Sequence, residues 1–122
     1  MTLKRFELQG ALRGEGRIVR QAGGMHRYGH VILSVEPVQS SLLLAWEVSA
    51  AQIPDEFKEA VFRGIKAQFL PGARFDSYTA DGLRIRIVDG SSHQTDSNEG
   101  SFEIASSLAL LNALEALLGE PA

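Results

Sequence analysis

Glu15-Gly16-Arg17-Ile18-Val19-Arg20-Gln21-Ala22-Gly23-Gly24-Met25-His26-Arg27-Tyr28-Gly29-His30-Val31 places two strand-like segments on either side of a glycine pair. Arg17-Ile18-Val19-Arg20 sets two β-branched residues between arginines and reads as a short strand. Gly23-Gly24 supplies the positive φ that a tight loop demands. His30-Val31-Ile32-Leu33-Ser34-Val35-Glu36 then reads as a strand rich in β-branched residues that stops at Pro37.

Outward from this stretch the pattern alternates between strands and helices. Gln39-Ser40-Ser41 reads as a turn, and Leu42 to Val48 as a strand pairing antiparallel with His30–Glu36. Pro54 suits the first turn of a helix, where a missing N–H costs nothing, and Asp55 and Glu56 suit the positive end of its dipole. Phe57, Val61, Ile65 and Phe69 recur every four residues and make one apolar stripe, ended by Pro71-Gly72. Leu83, Ile85 and Ile87 alternate with Arg84 and Arg86, as a half-buried strand requires. Asp89-Gly90 is expected to turn the chain, and Asp96 or Ser97 to cap a second helix, with Glu99 near a capping-box position. Its predicted buried stripe is Phe102, Ala105, Leu108, Ala109, Leu111, Leu114 and Leu118, with Gly119 and Pro121 at the exit. The first 14 residues are expected to add an edge strand. Strands followed by helices predict an α+β two-layer domain, a four-stranded sheet with both helices on one face.

The 122 residues are most simply one domain, residues 1–122, large enough for a core without disulfides or metal. There are no cysteines, which removes thiol chemistry and Cys-based zinc sites. No apolar run approaches the roughly 18 residues of a membrane span, and Met1-Thr2-Leu3-Lys4-Arg5 shows no secretory signal. The net charge of −3 argues against a general nucleic-acid binder. Its distribution is uneven. Residues 1–30 carry six Lys/Arg against Glu7 and Glu15, a net +4, and the remainder carries −7. A basic end on an acidic body can still meet phosphates at one place. Exposed arginines that simply solvate strands explain the same charges.

The opening stretch and Val88-Asp89-Gly90-Ser91-Ser92-His93-Gln94-Thr95-Asp96-Ser97 together resemble domain IV of the translational GTPase elongation factor G. The similarity runs from about residue 4 to the C-terminus and includes the Ile53-Pro54 helix start. In the first loop Gln21, Gly23, Gly24, Tyr28, Gly29 and His30 match the family, whereas Ala22, His26 and Arg27 depart from it. In the second, His93, Asp96 and Ser97 match, while Ser92 and Thr95 replace Tyr and Val. The resemblance implies the ribosomal protein S-five second-domain-like fold, with a left-handed βαβ crossover. It also implies that both loops sit at a tip entering the ribosomal decoding site, with His93 at its extremity.

The chain has no GxxxxGK[ST] loop and no Gly-Lys pair, so it carries no GTPase of its own, no nucleotide partner and no cofactor. Met1 favours a natural start, although a fragment could begin the same way. The chain stops at Gly119-Glu120-Pro121-Ala122, near where the family's last domain would begin.

Each candidate contact residue has a bland alternative. The Gly23-Gly24 loop can let backbone N–H groups approach phosphate or simply close a hairpin. Tyr28 can stack on a base or pack beneath the turn. Arg27, Arg20 and Arg17 can meet phosphate or stay solvated, and Arg84 and Arg86 are expected to be solvated. His26, His30 and His93 invite a metal or acid–base reading, which is disfavoured because the glycines preclude a helical ligand pair and no HExxH occurs. Ser91, Ser92, His93 and Asp96 cluster without a nucleophile elbow, and Asp96 is read as a helix cap.

The function that results is a non-catalytic, cytoplasmic, ribosome- or RNA-binding module of weak affinity. Its contacts are Gly23, Gly24, His26, Arg27, Tyr28 and His93, with phosphate contacts at Arg17 and Arg20, no metal and no membrane. The alternative is a protein-interaction or homodimerising module that kept the fold but lost the ribosome role. A small RNA-processing enzyme is the least favoured reading.

Overall fold

The computed structural model describes residues 2–21, 23 and 26–118. The strands are β1 (Lys4–Arg5), β2 (Leu12–Arg20), β3 (Arg27–Pro37), β4 (Leu43–Trp46), β5 (Tyr78–Thr79) and β6 (Leu83–Ser91). The helices are α1 (Lys58–Ala67), entered through a 3-10 turn at Asp55–Phe57, and α2 (Glu99–Leu114), left through another at Glu115–Leu117. Four strands form one mixed sheet in the order β2-β3-β6-β4, and β1 and β5 form a separate parallel pair. The expected α+β architecture is present.

Both helices cover one sheet face. Val31, Leu33 and Val35 of β3 and Leu83, Ile85 and Ile87 of β6 are wholly buried. They share one core with Val61 and Ile65 of α1 and Phe102, Leu110 and Leu114 of α2. Each such side chain contributes roughly 1.5–3 kcal/mol through burial. The opposite face is open and polar.

Three local expectations are corrected. The Leu42–Val48 strand does not pair with β3. β6 inserts between them, antiparallel to β3 and parallel to β4. The wholly buried alternation of β6 needs a central place, whereas β4 is only half-buried and serves as an edge. The β4–α1–β6 crossover follows from that insertion. Second, Asp89-Gly90 is not a turn but lies inside β6. The pairing shifts between Ile32 and Leu33, opposite Val88. Such a bulge reverses the parity of the strand. Gly90 therefore faces the helices against Ile53, and Asp89 and Ser91 face the open side opposite Ile32 and His30. Third, neither Asp96 nor Ser97 caps α2. Asn98 does, its Oδ1 accepting from Ser101 N at 2.8 Å. Replacing Asn98 with alanine is expected to cost about 1 kcal/mol, read as a lower urea midpoint.

Most of the expected α2 stripe is in place: Phe102, Ala105, Ala109 and Leu114 are buried, and Leu111 and Leu118 pack partly against the core. It differs in that Leu110 and Ala113 are buried as well, and Leu108 is exposed beside Ile104. The cause is backbone proximity to β2, where Gly14 and Gly16 admit Ala105, Ala109 and Ala113.

Arg86 is not merely solvated. Its guanidinium donates to both Glu47 carboxylate oxygens, from Nε at 3.0 Å and Nη2 at 2.7 Å, and from Nη1 to Glu36 at 2.7 Å. Hydrogen bonding from Arg86, then its charge, holds both carboxyls below the usual range and raises the Arg86 pKa. Groups depressed on folding stabilise the fold above their unfolded value, about 4.3 for Glu, and lose that contribution as pH falls through the folded value. Arg86→Met should therefore flatten the dependence of the urea midpoint on pH below about pH 5.

Candidate RNA-contact tip

One end of the sheet brings together the β2–β3 connection and the β6–α2 loop. β2 and β3 pair in register to Arg20 and Arg27, and Gly23 adopts φ +69° between them. Gly24 lies outside the described residues. The second loop is tied to the first through its backbone. Tyr28 N donates to Asp96 O at 3.0 Å, and Ser97 Oγ donates to Tyr28 O at 2.9 Å. Ser97 thus joins the loops rather than capping the helix, and its Oγ also accepts from His93 N at 2.8 Å.

Asp96 is the hub. Its side chain is 11% exposed, with His26 Nδ1 at 3.7 Å and His93 Nδ1 at 3.5 Å. Gln21 Nε2 and Thr95 Oγ1 donate to its carboxylate at 3.5 and 3.3 Å. Asp96 N in turn donates to His93 Nδ1 at 3.2 Å. Asp96 thereby gathers both tip histidines, His26 beside its carboxylate and His93 through its backbone N–H, each about half exposed.

Tyr28 stands beside this hub on the open face. Its ring centroid lies 6.2 Å from that of His93, and Arg17 Cζ lies 5.6 Å from the Tyr28 ring centre. That distance suits a cation–π contact. The Tyr28 hydroxyl meets Ser91 Oγ at 2.7 Å. Ser91 Oγ also lies 2.9 Å from His30 Nδ1, and His30 Nε2 lies 2.5 Å from Glu15 Oε2.

The predicted residues fall into two groups. Gly23, His26, Tyr28, His93 and Arg17 belong to the tip or its open-face flank. Arg27 and Arg20 pair at the far end of the hairpin, and the alternation puts them on the helix side. Arg27 there lines a shallow groove with Gly100, Ile104 and Leu108. The two candidate phosphate contacts, Arg17 and Arg20, thus point to opposite faces. His30 separates from the other histidines because it bonds Glu15 and Ser91 rather than Asp96. Among the described residues, no group of three or more His, Asp or Glu side chains is arranged to hold a metal ion.

Asp96, Ser91 and Glu15 are not among the predicted contacts. Local spacing favours Asp96 as a cap, and nothing local announces the bulge that turns Ser91 outward.

The family profile for elongation factor G, domain IV matches residues 8–116. The chain is 36% identical over 115 residues to elongation factor G of Thermotoga neapolitana, an overlap of 91% of this chain and 16% of that protein. A crystal structure of a Thermus thermophilus protein superposes with a TM-score of 0.81 at 28% identity, covering 94% of this chain and 17% of the other. The chain therefore spans about a sixth of the length of these relatives. With the profile covering nearly its whole length and the folds superposing, this chain belongs to the elongation factor G domain IV family.

Proposed function

We propose that this chain is a non-catalytic ribosome- or RNA-contact module of the translation elongation machinery, acting as one domain through its β2–β3 and β6–α2 tip. The observation that carries the reading is the juxtaposition of Tyr28 and His93 on loops fastened together at Asp96, with Arg17 over the Tyr28 ring. A π-face, two half-exposed histidines and an arginine are the groups that single-stranded or splayed RNA accepts by stacking and phosphate contact. Family membership supports the same reading, because the matched loops are the ones that resemble the factor's decoding-site tip. Such a module works in the cytoplasm, needs no bound nucleotide or cofactor, and binds weakly when it acts alone.

Co-sedimentation with purified ribosomes at low and moderate salt tests this. The wild type should pellet at low salt and less at moderate salt, as phosphate neutralisation requires. A Tyr28→Ala/His93→Ala variant should lose about fivefold or more in affinity, from stacking worth roughly 1–3 kcal/mol per base. No pelleting at low salt overturns the proposal.

A second reading rests on Ile104 and Leu108, apolar and exposed beside Arg27 on the helical layer. In it, that face meets a protein. Sedimentation mass rising with concentration would identify the partner as a second copy.

A further inference from the structure

Glu15, His30, Ser91 and Tyr28 form one continuous hydrogen-bond chain across β2, β3 and β6 on the open sheet face. We infer that this chain fixes the polarity of the Tyr28 hydroxyl, making it an acceptor toward whatever docks at the tip, so that the tip selects a hydrogen-bond donor on RNA. A ribose 2′-hydroxyl and an exocyclic amino group of a base share that chemistry. The ligand half of the inference rests on the RNA-contact reading above, whereas the relay does not.

The direction of the chain follows from its protons. The Glu15 carboxylate only accepts, so at 2.5 Å the proton between it and His30 sits on Nε2. In its neutral form the imidazole then leaves Nδ1 as an acceptor. Its hydrogen-bond partner is the Ser91 hydroxyl at 2.9 Å, which must donate. Ser91 has one proton and has now used it. The 2.7 Å contact between Ser91 Oγ and the Tyr28 hydroxyl is therefore donated by Tyr28. The phenol keeps no proton for a ligand and presents lone pairs.

The surroundings leave this order intact. Arg17, opposite His30 on β2, lies over the Tyr28 ring. Asp89, on β6, has its carboxylate bound by Gly90 N at 2.7 Å and Gln52 Nε2 at 3.0 Å, with Arg13 as a neighbouring charge and His30 as one only when protonated. Neither is bonded to Nδ1. Protonating His30 reverses the chain. Nδ1–H then donates to Ser91, Ser91 to Tyr28, and the phenol turns its proton outward. Glu15, His30 and Ser91 are thus positioning residues that act through Tyr28.

The relay is read directly by long-range ¹H–¹⁵N correlation of the histidine rings in the uniformly labelled protein at neutral pH. The expected result is a His30 ring protonated at Nε2 alone, with that preference lost in Glu15→Leu. A ring protonated at Nδ1, or at both nitrogens, overturns the inference. Selectivity is read by fluorescence anisotropy with oligoadenosine RNA, its 2′-deoxy counterpart and an RNA of purine riboside, which lacks the exocyclic amine.

Tyr28→Phe should weaken oligoadenosine binding about threefold to tenfold, the range of one neutral hydrogen bond, and Glu15→Leu should do the same with the phenol intact. A 2′-deoxy strand indifferent to Tyr28→Phe identifies the 2′-hydroxyl as the donor. An indifferent purine strand identifies the amine. Equal weakening for all three strands, or none, overturns the selectivity. Failure of the wild type to bind any strand overturns the RNA-contact reading and the ligand half with it, while the ring tautomer still decides the relay.

Discussion

Gly16→Ala should destabilise the protein by about 3 kcal/mol or more, at or beyond the upper end of ordinary overpacking, and Gly16→Val should prevent folding. A Cβ on Gly16 would overlap the Ala105 carbonyl oxygen and come within 2.5 Å of Ala109 N. Both obstacles are helix backbone, which cannot rotate away as a side chain can. Gly14 stands in the same groove against Ala109 and Ala113, so the strand and helix cannot separate at one point without losing the next. α2 would have to lift from β2, opening the core around Phe102 and Leu110. A domain's whole stability is about 5–15 kcal/mol, so one methyl group removes a large share of it. Urea denaturation measures the change. Gly10→Ala is the matched control, because nothing lies within 4 Å of the Cβ it would add. A Gly16→Ala midpoint within error of that control would show that α2 and β2 are not in backbone contact.

That contact also explains what could and could not be read from the amino-acid order. The β6 alternation, the stripe of Phe57, Val61, Ile65 and Phe69, and the hairpin around Gly23 rest on local periodicity and turn chemistry, and each is present, although α1 ends at Ala67 and Phe69 packs against the core from just beyond it. The orientation of α2 is set instead by Gly14 and Gly16, some ninety residues away, matched to Ala105, Ala109 and Ala113. The expected stripe, which holds Ala105 and Ala109, therefore also takes in the exposed Leu108 and omits the buried Leu110 and Ala113. The pairing of β4 depends on which strand needs two neighbours, a property of the assembled sheet. The site divides in the same way. Tyr28 and His93 are legible because their loops carry family residues. The Asp96 hub and the Glu15–His30–Ser91 chain are not, because they join residues up to 75 positions apart, as in the Gln21–Asp96 contact. Spacing near Asp96 points to the nearer role of a cap, which Asn98 fills.

Phe102→Ala should cost about 3–5 kcal/mol, the usual penalty for emptying a buried aromatic site. Phe102 is wholly buried and stacks on Phe57 with ring centroids 4.9 Å apart at 23°. It sits in the first turn of α2, one residue after Ser101, whose N–H is held by Asn98. Its loss therefore acts on two links at once. The core loses its contact between the α1 entry and α2, and the helix end that anchors the tip loop loses its buried peg. Ribosome pelleting should fall with stability although no tip side chain is changed, and both should recover when the temperature is lowered enough to refold the variant. The Tyr28→Ala/His93→Ala variant should do the opposite, losing pelleting at every temperature while its urea midpoint moves far less. Phe57→Ala and the double replacement close a cycle, in which the aromatic pair should show a coupling of about 0.5–1.5 kcal/mol. Additive single effects would mean that each ring is held by its other neighbours, and that α2 reaches the tip without support from the α1 entry turn.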